Sequence, residues 1–175
     1  TIGDYLFELF MGTTLRLVDL NDEDLKAVLD RGHLRFNFSD DTDARLTLET
    51  PSAVLTTLGA AAKFTACAPA AKMCLAVERG AAELKSAGKA LTYAKGEGTA
   101  TQAAFVSIDT PPGAAICIPD RVFDDWFEAA RLNQISTPLG ALVNQHRECD
   151  ADVQTASITV LGVEGWTDTR LDVES

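Results

Sequence analysis

Two side chains late in the chain have types and spacing that could support nucleophilic catalysis. In the stretch HREC, His146 precedes Cys149 by three positions, so on a helix both would lie on one face. A histidine beside a cysteine can take the thiol proton and activate the thiolate. The sequence shows no third orienting group and no element that would stabilise an oxyanion. We therefore favour a histidine near a disulfide cysteine, and keep a Cys/His hydrolase as a disfavoured alternative.

The four cysteines divide into a near pair and a distant pair. Cys67 and Cys74 flank the segment APAAKM, and if KFTAC and MCLAV are paired strands, the two side chains can meet disulfide geometry. Cys117 and Cys149 would close a longer loop. On the chain-entropy model these bridges contribute about 2 to 3 and about 3.5 to 4 kcal/mol. We predict two disulfides and therefore an extracytoplasmic, oxidising compartment; four free buried cysteines in a cytosolic protein are the alternative.

The sequence indicates neither a metal site nor a phosphate site. It contains no C-x-x-C pair, and its cysteine spacings match no structural zinc pattern. The acidic stretches SDDTD and DLNDED offer carboxylates, but neither fits a calcium-binding EF-hand loop, and such runs normally face solvent. The stretch GKALTYAKGEG lacks the phosphate-loop pattern. We predict no metal, no cofactor and no enzymatic activity.

Composition and charge restrict the classes of partner. The chain has 175 residues, of which 46% are hydrophobic and 23% charged, as in globular proteins. A net charge of −11 disfavours nucleic acid and anionic membrane surfaces, which attract basic patches. No apolar run approaches the roughly 20 residues of a membrane-spanning helix. We expect a protein partner or self-assembly, with no nucleic acid and no direct membrane insertion of this chain.

The elements that must position these residues are predominantly short strands. Leu34, Phe36 and Phe38 alternate with polar residues, and Leu46 and Leu48 do the same after an acidic turn. Gly, Pro or Ser separate the pieces that follow, which are AVLTTLG, KFTAC, MCLAVERG, AAELKS, ALTYAKGEG and AAFVSID. The pattern predicts a mainly β fold, either a β-sandwich or a rolled β-barrel of short antiparallel strands. The first dozen residues could form a short helix or a strand that pairs with TTLRLVDL.

Reversals between these strands are assigned to a proline and to several glycines. Glycine reaches positive φ without steric cost, and proline interrupts strand pairing. The predicted structural turns lie at Gly32, Pro51, Gly59, Gly80 and Gly96, with Gly88 as a further reversal. We interpret these positions as architectural requirements and not as evidence for a ligand.

The pattern changes at TPPGAAICIPD. Asp120 is predicted to cap an amphipathic helix in RVFDDWFEAARLNQ, with Trp126 on its apolar face, and a second helix is predicted in PLGALVNQHRE. The stretch ASITVLGV returns to a strand pattern. We divide the chain into a β-rich domain at 1–115, a helical segment packed on it at 116–150, and a C-terminal strand and tail at 151–175.

The order of these pieces matches a known pattern. LRL, LDRGHLRFNF, ARLTLETPSAVLTTLG, CLAVERGAAELKSAG and LTYAKGEGTAT follow one another, and PDRVFDDWFEAAR comes after them. Residues 30–131 thereby resemble FecR-type extracytoplasmic domains, in which G-x-x-x-F, T-P-x-A-V, V-x-x-G and L-x-x-G-E segments follow in this order. The matching positions are Gly32, Thr50, Pro51, Ala53, Val54, Gly59, Phe64, Val77, Gly80, Leu84, Gly96 and Glu97. One departure is GAAAKF, which has Ala60 where the family's G-T-x-F turn has a threonine and which is longer before Phe64.

Two non-enzymatic functions stand beside the disfavoured hydrolase. We favour an extracytoplasmic module that acts through protein–protein contacts, as a scaffold or assembly subunit of a cell-surface or extracellular structure. The apolar stretches YLFELF and ITVLGV could add strands to neighbouring subunits. The family resemblance implies a second function, a periplasmic ligand- or receptor-sensing domain of a signalling protein, and this predicts a transmembrane segment encoded upstream of Thr1.

Overall fold

The computed structural model describes residues 5–21, 24–38, 45–95, 100–132 and 138–149. These ranges are mainly β, which confirms the predicted fold class. Their elements are β1 (Tyr5–Leu9), β2 (Thr14–Leu20), β3 (Asp24–Phe38), β4 (Arg45–Glu49), β5 (Val54–Ala68), β6 (Lys72–Ser86), β7 (Lys89–Ala94), β8 (Ala100–Ser107), β9 (Ile116–Pro119), α1 (Asp120–Arg131) and α2 (Leu139–Asn144).

Three long strands, β3, β5 and β6, each have 15 residues and contribute to two layers. The first layer has the order β2–β3–β4–β5–β6–β7 and uses the first halves of β3 and β5 with the second half of β6. The second layer has the order β1–β3–β5–β6–β8–β9 and uses the other halves. Strands β1 and β2 therefore lie along one side of a sandwich, and β7 and β9 lie along the other.

The main core lies between the two layers. Leu25 and Leu29 from the first half of β3 are fully buried with Phe36 and Phe38 from its second half. Burying one such side chain contributes about 1.5 to 3 kcal/mol, so a core shared by both halves of the bent strands holds the layers together. Tyr93 of β7 is buried in the same cluster, and burial raises the pKa of its phenol to about 12.

Three glycines predicted to reverse the chain lie within the long strands instead. Gly32, Gly59 and Gly80 have φ of 98°, 78° and 74° and sit at the bends of β3, β5 and β6. Residues 59–62 of β5 face Gly80 alone, which is a β-bulge. A bulge bends a strand without ending it, so pieces that the sequence separates are continuous in the fold. These glycines therefore bend strands of 15 residues, which are longer than the separate pieces that the sequence indicates.

The other predicted turns are those at Pro51, Gly88 and Gly96. Pro51 lies in the bend between β4 and β5, and Gly88 lies in the turn between β6 and β7. Gly96 falls outside the described residues.

Two pairings differ from the sequence-based expectation. Strand β4 runs parallel to β3, although antiparallel strands were expected. Strand β1 pairs with β3 and not with β2. The reason is the length of β3, which is sufficient to pair with β1 and β2 one after the other.

Both helices pack on the outer face of the second layer. The buried side chains of the two helices are Phe123, Trp126, Phe127, Leu139, Leu142 and Val143. They form a second apolar cluster with residues of the sheet, namely Cys67, Cys74, Ala76, Ala103 and Ile118. The helical part begins at Asp120, after β9, so residues 116–119 of the predicted helical segment are a strand. No helix in the described ranges is long and apolar enough to span a membrane.

Asp120 does not cap α1 as predicted. Pro119 occupies the N-cap position, where no side-chain capping hydrogen bond is made. The Asp120 carboxylate is instead engaged by the ammonium of Lys95 and accepts a hydrogen bond from Thr101 Oγ1 at 2.9 Å. These partners come from distant positions of the chain, so local sequence could not identify them. The domain boundaries at 115 and 150 stay predictions, and the predicted strand in 151–175 lies outside the described residues.

Candidate interaction surface

One edge of the sandwich is formed by a continuous run of chain along β3. Strand β1 pairs with 34–38 and β2 pairs with 25–31, and we call residues 5–20 the edge ribbon. No strand in the described part of the chain pairs with the outer side of this ribbon. An edge strand of this kind is a template for adding another strand, because its outward N–H and C=O groups lack strand partners.

A close backbone contact fixes the middle of the edge ribbon to β3. Thr13 Oγ1 donates to the carbonyl oxygen of His33 at 2.8 Å and accepts from the His33 N–H at 3.0 Å. A Cβ at Gly32 would lie 2.5 Å from Thr13 Cα, and the φ of Gly32 is +98°. Only glycine fits there, so this position matters for the edge ribbon and not for a chain reversal.

Large apolar side chains are exposed along the edge ribbon. The exposed fractions are 38% for Leu6, 52% for Leu9, 83% for Met11, 41% for Leu17, 61% for Val18 and 49% for Leu20. The other exposed large apolar residues of the described ranges are scattered, namely Leu58, Leu91, Ile108, Val122 and Leu132. A single exposed apolar residue is ordinary, whereas a cluster marks an interaction surface.

Part of this apolar surface belongs to the core-facing side of the sheet. Leu17 pairs with buried Ala27, and Leu20 pairs with buried Leu25. Directly opposed residues in an antiparallel pair point to the same face, so Leu17 and Leu20 point toward the core side. They are nevertheless more than two fifths exposed. The sandwich is therefore open along the edge ribbon, and an added strand would cover it.

The opposite edge of the second layer is covered. The Cys117 N–H donates to the carbonyl oxygen of Arg147 at 3.0 Å, and the Cys149 N–H donates to that of Ala115 at 2.8 Å. The segment after α2 thus continues the sheet beyond β9. This covered edge contrasts with the outer side of the edge ribbon, which has no such partner among the described residues.

The structure joins the cysteines in the same two pairs that the sequence suggests. Cys67 and Cys74 lie directly opposite on β5 and β6, with Cα atoms 5.0 Å apart, and both are fully buried. Cys117 and Cys149 have Cα atoms 4.9 Å apart and are half-buried. The first disulfide lies under α2, and the second ties β9 to the end of the helical segment.

The proposed nucleophile of the hydrolase alternative is not available. The sulfur of Cys149 is bonded to Cys117. His146 is placed by a different contact, because its Nδ1 lies 2.9 Å from the carbonyl oxygen of Leu142. Across the residues that the structure describes, no group of three or more His, Cys, Asp and Glu side chains could hold a metal ion.

A charged row crosses the outer face of the second layer beside α1. Glu8 lies opposite Arg35, and Arg35 lies opposite Thr65. Glu78 Oε1 accepts from Arg35 Nε at 3.1 Å and from Thr65 Oγ1 at 2.9 Å. The Arg35 guanidinium also lies 3.6 Å from the centre of the Phe127 ring. The side chains of Arg35 and Glu78 are only 12% and 6% exposed, so this row anchors α1 to the strands and is no open binding site.

His33 connects the edge ribbon, β3 and both helices. Its Nε2 accepts the backbone N–H of Leu139, at the start of α2, over 3.3 Å. Its ring centre lies 5.8 Å from that of Phe10 and 6.4 Å from that of Trp126. Burial lowers the pKa of this imidazole. No local sequence pattern indicates this role for His33, because Leu139 and Trp126 are distant from it in the chain.

The part of the edge ribbon in β2 was not predicted from the sequence. The predicted strand-adding stretch was YLFELF, which includes β1. The signal in β2 is the stretch LVDL, where Leu17, Val18 and Leu20 break the alternation of a strand with one buried face. The register shift between Leu17 and Asp19 explains this break, because it leaves Val18 bulged.

Comparison with known proteins adds a similarity of fold. No family model and no curated protein matches this chain. Two crystal structures of a candidate anti-sigma factor from Parabacteroides distasonis ATCC 8503, at 1.65 and 2.50 Å resolution, are similar with a TM-score of 0.53 each. Sequence identity is 18% and 17%, and the similarity covers 70% of this chain but only 56% and 55% of those chains. The matched part of this chain thus shares the fold of somewhat more than half of each of those chains.

Proposed function

We propose that this chain is a FecR-like extracytoplasmic module that acts through protein–protein contacts, as a scaffold or assembly subunit, and is not an enzyme. The observation that carries the proposal is the edge ribbon, which combines an outer backbone edge without a strand partner in the described ranges and exposed apolar side chains. Strand addition uses both, because backbone hydrogen bonds supply affinity and side-chain contacts supply specificity.

The disulfides support the extracytoplasmic location. Both cysteine pairs are bonded, and disulfides persist in oxidising compartments. The resemblance of residues 30–131 to FecR-type domains supports the same location.

The charge of the edge ribbon supports an apolar strand as the incoming element. The chain as a whole carries a net charge of −11, but β2, with the sequence TLRLVDL, contains one basic and one acidic residue. With Glu8 of β1 the whole edge ribbon contains one basic and two acidic residues, a net charge of −1, so it is an apolar strip of low charge on an acidic protein. Such a strip favours an uncharged extended segment over a charged ligand.

Paired substitutions at the edge ribbon test this proposal. The variant Met11→Lys with Val18→Lys places one charge in the turn between β1 and β2 and one on β2, at the most exposed apolar positions of the ribbon, and lysine on an edge strand opposes strand addition. The matched control is Ile108→Lys with Leu132→Lys, at positions that are 47% and 53% exposed elsewhere on the protein. Affinity capture from the native source should lose its protein partners with the ribbon variant and keep them with the control. Equal capture by both variants would contradict the proposal.

A second candidate function is that of an extracytoplasmic sensing domain in a signalling protein. The observation in its favour is the shared fold with the candidate anti-sigma factor, together with the FecR-type resemblance. It requires a membrane segment encoded upstream of Thr1. The complete reading frame decides between the two, since a cleavable signal peptide alone in that position would remove the sensing function.

A further inference from the structure

We infer that the edge ribbon is occupied by residues 156–163 of a second copy of this chain, so that copies join head to tail by strand donation. This inference rests on the proposed function, because it uses the same surface. It adds the identity of the incoming strand and the geometry of the assembly.

The sequence of the donated segment fits the edge ribbon. Residues 156–163 read ASITVLGV, a stretch without charge between Asp152 and Glu164. Ile158 and Val160 alternate with Thr159, which is a strand pattern rich in β-branched residues. The segment has eight residues, close to the seven of β2. One apolar face of such a strand would cover the half-open core side of the ribbon.

The starting point of this segment lies on the far side of the sandwich. Cys149 is fixed to β9 by its disulfide and by its N–H bond to Ala115. Strand β9 ends the second layer opposite β1, and both helices cover the outer face between them. Measured along the second layer, the outer side of β1 is six strand spacings from β9, or about 29 Å at ~4.8 Å each.

The linker is too short for donation within one molecule. From Cys149 to Ala156 the fully extended chain spans at most about 25 Å, and the path must also pass around the helices. Along this path the ribbon of the same molecule lies beyond the extended linker, whereas the ribbon of a neighbouring molecule can approach the segment directly.

The symmetry of the assembly follows from these positions. Cys149, after which the donor segment follows, and the acceptor ribbon lie on opposite sides of the described fold, so the proposed contact is heterologous and builds open chains or rings. Each copy carries a net charge of −11, so copies repel one another. Added salt screens this repulsion and should strengthen association.

A complementation experiment on the full chain tests the inference. The ribbon variant, Met11→Lys with Val18→Lys, keeps the donor segment, while a donor variant, Ile158→Asp with Val160→Asp, keeps the ribbon. In sedimentation velocity over a concentration series, the parent chain should form oligomers, and each variant alone should associate about tenfold or more weakly. An equimolar mixture of the two variants should form one-to-one dimers and no longer chains. The matched donor control, Leu171→Asp with Val173→Asp, should assemble like the parent.

Two results would overturn the inference. One is assembly of the donor variant like the parent. The other is a parent chain that remains monomeric at all concentrations. This includes a monomer in which residues 156–163 of the same molecule protect the ribbon amides from hydrogen exchange. In either case the proposed function stands if the ribbon variant still loses the partners captured from the native source, and it falls if that capture is unchanged.

Discussion

Leu139, the first residue of α2, donates its backbone N–H to Nε2 of His33 in β3, 106 positions earlier in the sequence. Only a neutral imidazole can accept this bond, because both ring nitrogens of the protonated form are donors. His33 also contacts the Phe10 ring of the edge ribbon. A single side chain therefore joins the helical segment to the edge that we propose as the interaction surface.

The protonation of His33 should destabilise the fold. Burial lowers the pKa of His33 below its ordinary value of 6.5, so the unfolded chain binds a proton more readily than the folded chain. The stabilising contribution of neutral His33 is fully present above the pKa that this histidine has in the unfolded chain. It is lost as the pH falls from that value through the lower pKa of His33 in the folded chain. We expect the free energy of unfolding in urea to decrease as the pH is lowered below about 6.5. His33→Gln, which keeps an acceptor but does not titrate, should show a smaller decrease, and equal slopes would contradict this role.

Gly32→Ala should destabilise the protein more than Gly12→Ala. Both glycines have positive φ, at 98° and 80°, so both substitutions carry a backbone cost of about 1 to 2 kcal/mol. A Cβ at Gly32 would additionally lie 2.5 Å from Thr13 Cα, whereas a Cβ at Gly12 would meet nothing within 4 Å. Urea unfolding of the two variants measures the difference. Similar losses would show that the contact with Thr13 is not a constraint.

The two disulfides should differ in their resistance to reduction. Cys117–Cys149 is half-buried, whereas Cys67–Cys74 is fully buried below α2. Mild reductant followed by alkylation and mass spectrometry should label Cys117 and Cys149 first. Replacing both of these with alanine should lower the free energy of unfolding by about 3.5 to 4 kcal/mol, because the longer loop is no longer closed in the unfolded chain. Earlier labelling of Cys67 and Cys74 would refute the proposed packing of α2.

Glu78→Ala should cost substantially more stability than Asp30→Ala. Glu78 is 6% exposed and pairs with the largely buried Arg35, so its removal leaves a buried charge without its main partner. Such a loss costs about 3 to 5 kcal/mol. Asp30 forms a bidentate pair with Arg16 on the surface, and although that hydrogen bonding lowers the pKa of Asp30, exposed pairs contribute little. Thermal unfolding of both variants at neutral pH checks this order.

Local sequence patterns predicted the elements that depend on near neighbours. The alternation of Leu34, Phe36 and Phe38 and the amphipathic pattern around Trp126 correspond to β3 and α1. The pairing of Cys67 with Cys74 likewise follows from a short hairpin between adjacent strands. Each of these features requires only the periodicity or turn of one short segment.

The features that the sequence could not provide depend on long-range pairing. The sequence pattern around Gly80 predicts a turn that reverses the chain. Only the pairing with β5 shows that Gly80 lies opposite a bulge and inside a continuous strand. Asp120 reads as a helix cap, yet Lys95 and Thr101 engage its carboxylate. The open core side at Leu17 and Leu20 becomes visible only when β2 is placed at the edge of the sandwich.

Addition of another chain to the outer side of the edge ribbon can be measured directly. The measurement is hydrogen–deuterium exchange on protein kept with its native partners, compared with the dilute isolated protein. We expect the backbone amides of residues 14–20 to gain protection in the bound sample, while those of β7 at residues 89–94 exchange alike in both. Unchanged exchange at residues 14–20, with new protection elsewhere on the surface, would contradict the account.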